Sequence, residues 1–257
     1  MFAVPEFPRS RGLRGGGLYA QVIGTLGQDI VNGVLPEGEL IFAEHLCARF
    51  GVSRSVVREG LRTLASMGLV EARPRVGTRV LPRSQWDLLD PMVVYWRGRG
   101  GDYIELQREL LEVRLGMEGT AARLAAVRMS AEDASTLLSH AVHMLTAIEA
   151  EDRATFYEFD AKFHRALLVG SGNELIAQFA DTIEAMLLAK STDHRPGAAF
   201  MGAPSARRHV QLAHAVVARD PDQAEAVVRK IVHGTLAEFE EDVRQAARSE
   251  GTTRHTP

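Results

Sequence analysis

The sequence predicts a mainly α-helical protein of two domains: a compact N-terminal one of short elements, and a C-terminal antiparallel bundle of six or seven α-helices. Three observations predict it. Residues 1–83 carry 11 Arg, no Lys and 7 acidic residues, leaving 19 basic against 26 acidic groups in residues 84–257, so the charge changes sign along the chain. Short helical segments separated by glycine turns fill the first third, whereas later runs of roughly 15 to 27 residues have the period and length of bundle helices. Strand-like alternation is confined to an Arg-rich segment near residue 75.

The chain has 257 residues, 46% of them hydrophobic, enough to bury two cores of ordinary size. No stretch approaches the roughly 18 uninterrupted apolar residues of a membrane span, and residues 1–17 lack the apolar run of a signal peptide. No membrane association is expected, and the protein should be cytoplasmic. The single cysteine, Cys47, cannot form an internal disulfide and reads as a small core residue.

Residues 1–17 alternate Pro and Gly patches with Arg9, Arg11 and Arg14, the composition of a disordered basic arm. From Leu18 a helix is expected, with Val22, Leu26 and Ile30 on its apolar face and Gly33 as its stop. After the Pro36-Glu37-Gly38 turn, residues 43–50 read as a short helix with Leu46 and Phe50 on one side. Gly51 supplies a tight turn, and Ser53 caps a second helix running to about Met67. Val57, Leu61 and Leu64 form its core stripe and leave Ser55, Arg58 and Arg62 on another face. This is a helix-turn-helix whose polar face suits a DNA major groove, and residues 73–80 read as an Arg-bearing hairpin, or wing, behind it. Residues 18–83 therefore form a winged helix-turn-helix. Residues 84–101, apolar and broken by turns, read as a linker, residues 102–248 as the all-helical domain, and residues 249–257 as a disordered tail. Helix starts are marked by Asp102-x-x-Glu105, Ser130-x-x-Asp133, Asp152, Asn173 and Asp220-Pro221.

The string Gly51-Val52-Ser53-Arg54-Ser55-Val56-Val57-Arg58-Glu59, with Leu61, Leu64, Gly68-Leu69-Val70 and the Arg-rich hairpin, resembles the winged helix of GntR-type regulators. Leu110-Leu111-Glu112-Val113-Arg114, Asp160-x-x-Phe163-His164-Arg165-Ala166-Leu167, Ser171-Gly172-Asn173, His209 and Asp220-x-x-x-Ala224 resemble the ligand-binding FCD domain of the FadR branch. The segment Trp86-Asp87-Leu88-Leu89-Asp90-Pro91 is similar to that of members responding to sugar acids such as galactonate. The resemblance implies a homodimer on a short palindrome of double-stranded operator DNA, acting as a nucleoid-associated repressor whose affinity an effector controls. Ser53 and Ser55 then donate to phosphates, Arg54 and Arg58 reach a guanine edge or the backbone, and Arg75 contacts the groove from the wing. Two positions depart from the family pattern. Glu44 stands where an Arg is common, and Gly60 stands where Ala is usual, at a helix-propensity cost of about 1 kcal/mol.

In the second domain Asp160 and His164, four apart on a helix, share a face, and His209 is a third candidate ligand. One carboxylate and two imidazoles suit a divalent metal such as Zn, Ni or Mn. Alone, an Asp-x-x-x-His pair is more often a surface or capping pair; the family context favours a metal site. Ile231 occupies the position where the family usually supplies a further His, and His233, two residues on, should face elsewhere. No metal partner is assigned to His140, His143, His194 or His214. Arg114 lies in an apolar stretch and needs an anion, either an effector carboxylate or an internal partner such as Glu112 or Glu118. Ser205, on the face of His209, either bonds an effector hydroxyl or caps a helix. Two rivals are weighed against the sensor reading: a mononuclear metal enzyme using Asp160, His164 and His209, and a DNA-binding dimer without an effector. The first leaves the helix-turn-helix without a role, and no nucleophile-elbow or phosphate-loop motif supports it, so no enzyme activity is expected.

Overall fold

The computed structural model describes residues 17–191 and 202–253. The arm over residues 1–16, His194 and residues 254–257 lie outside the described residues. The chain divides into two compact units, one ending at Tyr103 and the other beginning at Ile104.

The first unit opens with α1 (Leu18–Val31), whose Val22, Leu26 and Ile30 are all buried, as the periodicity predicts. A two-residue strand β1 (Leu40–Ile41) leads into α2 (Ala43–Phe50). Gly51, at φ 64°, is the left-handed cap that turns the chain toward α3 (Arg54–Ser66). The Ser53 hydroxyl accepts from the Val56 backbone N–H at the start of α3, the cap that the sequence predicts. Strands β2 (Val70–Arg73) and β3 (Gly77–Val80) form the antiparallel wing, and β1 pairs with β3 to complete a three-stranded sheet in the order β1-β3-β2. The hairpin is predicted; its third strand, two residues long, is below what alternation can register.

Gly60 has a packing reason. A Cβ at this site would lie 3.3 Å from the Val22 side chain, so α1 and α3 cross where the missing methyl allows it. Tyr19 and Thr63 hydroxyls close the same crossing at 2.7 Å.

Residues 84–101, read from the sequence as a linker, contain a regular helix. After a 3₁₀ turn at Arg83–Gln85 comes α4 (Pro91–Arg99), with the Asp90 carboxylate accepting from the Met92 and Val93 N–H groups and Pro91 in its first turn. Met92 through Gly98 are all buried. Trp96 seats against α1 at Gly27, where a Cβ would come within 2.3 Å of the indole, and Gln28 donates to the Trp96 carbonyl. A helix this apolar on every side carries no amphipathic period, which is why it reads as irregular.

The second unit contains seven helices among the described residues: α5 (Tyr103–Arg128), α6 (Ala131–Glu149), α7 (Arg153–Gly170), α8 (Glu174–Ala177), α9 (Ala180–Ser191), α10 (Ala203–Val217) and α11 (Pro221–Thr253). Ser130, Asp152, Asn173 and Asp220 each accept a backbone N–H at the helix start predicted for them. Asp102 instead gives its carboxylate to Arg97 at 2.6 Å and Arg83 at 3.1 Å. The predicted tail begins too early, because α11 continues to Thr253. The core is formed by apolar residues such as Ala122, Leu137, Met144, Phe163, Leu212 and Val228, contributed by five of the helices. No helix is long and apolar enough to cross a membrane among the described residues.

Candidate nucleic-acid interface and buried ligand site

In the first unit, burial of Val57, Leu61 and Leu64 turns the opposite side of α3 outward. Ser53, Arg54, Ser55, Arg58 and Arg62 are exposed there together. The Ser53 and Ser55 hydroxyls are 2.8 Å apart, so one cluster of donors marks the helix start. Their position beside the positive end of the helix dipole suits a phosphate. Arg54 lies 3.6 Å from Glu44, and Arg62 pairs with Glu59 at 3.1 Å, while Arg58 has no ion-pair partner among the described residues. Arg75 sits at the tip of the wing with φ 62°, a left-handed conformation rare for a residue with a side chain. All these predicted groups are on the surface, at a face that the fold leaves open.

In the second unit, the predicted ligand residues converge in the interior. Asp160 and His164 come from successive turns of α7, and His209 comes from α10. Asp160 Oδ1 is 3.4 Å from His164 Nε2 and 3.3 Å from His209 Nε2, and the two nitrogens are 3.3 Å apart. All three residues are buried. Donors bound at about 2.0–2.1 Å to one tetrahedral ion would be separated by roughly 3.3–3.4 Å, so the set fits a divalent transition metal. The rings are also held from behind. His209 Nδ1 is 2.9 Å from the Ser205 carbonyl, and His164 Nδ1 is 3.2 Å from the Glu118 carboxylate, the outer bonds that orient metal-binding imidazoles. Ile231, where the resemblance implies a further histidine, lines the same cavity as an aliphatic wall. His233 is exposed.

Arg114 is buried, as predicted, and takes the internal partner. Its Nε donates to Glu118 at 2.7 Å, and its Nη2 lies 3.4 Å from the other carboxylate oxygen and 2.8 Å from His164 Nε2. Glu112 is exposed. Burial penalises the Glu118 carboxylate, but the Arg114 guanidinium and the His164 ring outweigh it and hold its pKa down to about 2. Asp160 is likewise held below the usual carboxylate range, with its two histidines overcoming desolvation. His164 is shifted upward, since the Glu118 and Asp160 carboxylates outweigh burial and the nearby Arg114 charge. Ser205 is not the helix cap, because α10 begins at Ala203 with Gly202 in the capping position. Its buried hydroxyl faces a cavity of about 10 Å³, room for a single water.

Comparison with known proteins adds to this geometry. Residues 18–80 match the model for bacterial regulatory proteins of the gntR family, and residues 109–234 match the FCD domain. The chain is 32% identical to the transcriptional regulator LutR of Bacillus subtilis over 84% of its own length and 100% of that protein. The chain belongs to the GntR family. It is also similar to the galactonate operon transcriptional repressor of Escherichia coli, 29% identical over 86% of this chain and 96% of that one. The solved structure of Lar, which controls expression of the Listeria monocytogenes agr system, shares the fold at a TM-score of 0.61 and 18% identity, covering 89% of this chain and 99% of that one. This GntR-family protein is therefore a DNA-binding transcriptional regulator with a C-terminal effector-binding FCD domain, and not an enzyme.

Sequence reasoning missed one member of the regulator's buried site and left a second undecided. Glu118 was one of two candidate partners for Arg114, separated from the other only by burial. Lys190 was not singled out at all. It is buried on the last turn of α9 and faces the cavity. Its burial is legible only in the fold, where the less buried positions of α9 recur at Asp181, Glu184 and Leu188, and Lys190 falls about 200° around the helix from Leu188.

Proposed function

We propose that this GntR-family regulator is a repressor that binds a palindromic operator as a homodimer and leaves it when a small organic acid enters the FCD domain. Such a protein works where its operators are, on the nucleoid in the cytoplasm. Ser53 and Ser55 contact phosphate, Arg54 and Arg58 read guanine edges or hold the backbone, and Arg75 reaches the groove from the wing. Dimerisation would place two reading helices on half-sites one helical turn apart.

The observation that carries the effector reading is the buried meeting of Asp160, His164 and His209 beside Arg114, at the wall of a cavity. Buried titratable groups that converge on a cavity are the arrangement expected of a binding site. A divalent metal such as Zn, Ni or Mn, held by Asp160, His164 and His209, would supply a Lewis-acidic position for a carboxylate or hydroxyl oxygen. The protein's own part is to orient the imidazoles through Ser205 and Glu118 and to keep the site dry behind Ile231. Ser205 presents its hydroxyl to a ligand hydroxyl. The ligand class is a sugar acid or a related carboxylate, in keeping with the name of the galactonate operon repressor to which the chain is similar. A cavity of about 10 Å³ cannot take a sugar acid as it stands, so binding must spread α9, α10 and α11 around it. That gives the ligand different affinities for two states of the domain, the condition for any shift in operator affinity.

The test is an operator titration with candidate aldonates. Reduced affinity at saturating acid is the expected result, and undiminished affinity rejects induction. Sequencing the DNA that co-purifies with the regulator supplies the operator for that titration.

A further inference from the structure

The cavity of the FCD domain is faced by two buried cations, and they are not equivalent. Arg114 is neutralised by Glu118 through the bonds at 2.7 and 3.4 Å described above. Lys190, only 4% exposed, has no hydrogen bond or ion pair to its ammonium among the described residues. Burial, reinforced by repulsion from the Arg114 and Arg153 guanidinium groups, outweighs the attraction of the Asp160 and Glu238 carboxylates and pushes its pKa down to about 8. A buried ammonium without a partner is costly, and proteins rarely keep one without a use for it.

The position of Lys190 is built. Its backbone carbonyl accepts from both Nε and Nη2 of Arg153, at 3.3 and 2.9 Å, and the Arg153 guanidinium lies over the Tyr157 ring at 5.0 Å. This ties the C-terminal turn of α9 to the first turn of α7, which carries Asp160 and His164 farther along. Across the cavity Ser205 offers a second buried side chain whose hydroxyl has no hydrogen-bond partner among the described residues. One cation and one hydroxyl, neither bonded to another described side chain, face the same small space.

We infer that Lys190, and not Arg114, is the residue that anchors the effector's carboxylate, with Ser205 taking a hydroxyl of the same molecule. The ligand is thus a hydroxycarboxylate, bound through an ammonium that no described side chain pairs with. Arg114 is a positioning residue that keeps Glu118 and His164 in place. The inference rests on the reading that this cavity takes an organic acid.

The experiment measures thermal shifts of the full-length protein with glycolate, lactate, gluconate and galactonate, and with the uncharged polyol galactitol as control. Lys190→Met and the polar, uncharged Lys190→Gln are compared with the unaltered chain. An acid that shifts the parent protein should lose at least tenfold in apparent affinity in both variants. Without ligand, Lys190→Met should melt about 2–4 °C higher, because an unpaired charge has left the interior. Retention of the full acid-induced shift by either variant overturns the inference and leaves the effector reading intact. A lower melting temperature for both variants in the absence of ligand also overturns it, by marking the ammonium as a structural ion-pair partner. If no acid shifts the parent protein, the effector reading falls and the Lys190 assignment falls with it.

Discussion

The reading face of α3 and the buried cluster of the FCD domain both consist of charged side chains, yet they stand at opposite limits of solvation. On α3, Arg58 is exposed with no ion-pair partner among the described residues, and Arg54, with 75% of its side chain exposed, meets Glu44 only at 3.6 Å. In the FCD domain, Arg114 and Glu118 are buried within hydrogen-bond distance of one another and of His164. An exposed pair is worth a fraction of a kcal/mol, whereas breaking a buried pair strands a charge in the interior. The contrast teaches that the charged face of α3 can be altered without touching the fold, whereas the Arg114, Glu118 and His164 set cannot.

The sharpest way to break that contrast is Glu118→Ala. It should cost about 3–5 kcal/mol of stability, because the Arg114 guanidinium would stay buried without its anion. Chemical denaturation measures this, and a cost below about 1 kcal/mol would mean that the cluster behaves like a surface pair. Next in size is metal linkage. Zn, Ni or Mn at about 100 times its dissociation constant should stabilise the protein by about 2.7 kcal/mol, and Asp160→Asn should abolish the effect. Calorimetry of the metal-stripped protein with added metal checks it; no response to any of the three ions would leave the Asp160, His164 and His209 set as a hydrogen-bonded core cluster.

On the other side, Arg58→Ala should weaken operator binding by about 1–3 kcal/mol, roughly 5- to 150-fold, and change the free energy of unfolding by less than about 0.5 kcal/mol. A gel-shift titration paired with a melting curve separates the two. The smallest effect is expected for Glu44→Ala. Releasing Arg54 and removing a negative charge from the DNA face should tighten binding by about 0.5 kcal/mol, most visibly at low salt. Weaker binding instead would show that the Glu44 contact holds Arg54 in its productive pose.

The same contrast governs how much could be read from the sequence. The helix-turn-helix was legible because its elements are amphipathic: Val57, Leu61 and Leu64 face in, Ser55, Arg58 and Arg62 face out, and Ser53 caps. Helix α4 was not, although Asp90-Pro91 carries the cap-and-proline signature that was read correctly at Asp220-Pro221. The difference is periodicity. A surface helix follows Asp220, whereas Asp90 precedes seven consecutive buried residues with no polar stripe to count. In the site, Asp160, His164 and His209 were found from ligand chemistry and spacing, and the converging geometry agrees. Lys190 escaped because a lysine at the end of a helix ordinarily marks solvent, and only the burial pattern around α9 reveals it.

The seat of Trp96 against Gly27 sets where this molecule can be cut. A fragment stopping at Arg83, the apparent end of the wing, would strip the indole from α1 and bare an apolar groove, inviting aggregation. One extended to Tyr103 would carry its own cover, together with the Arg97 and Arg83 bonds to Asp102. The smallest autonomous operator-binding piece is therefore about twenty residues longer than its helix-turn-helix and hairpin suggest.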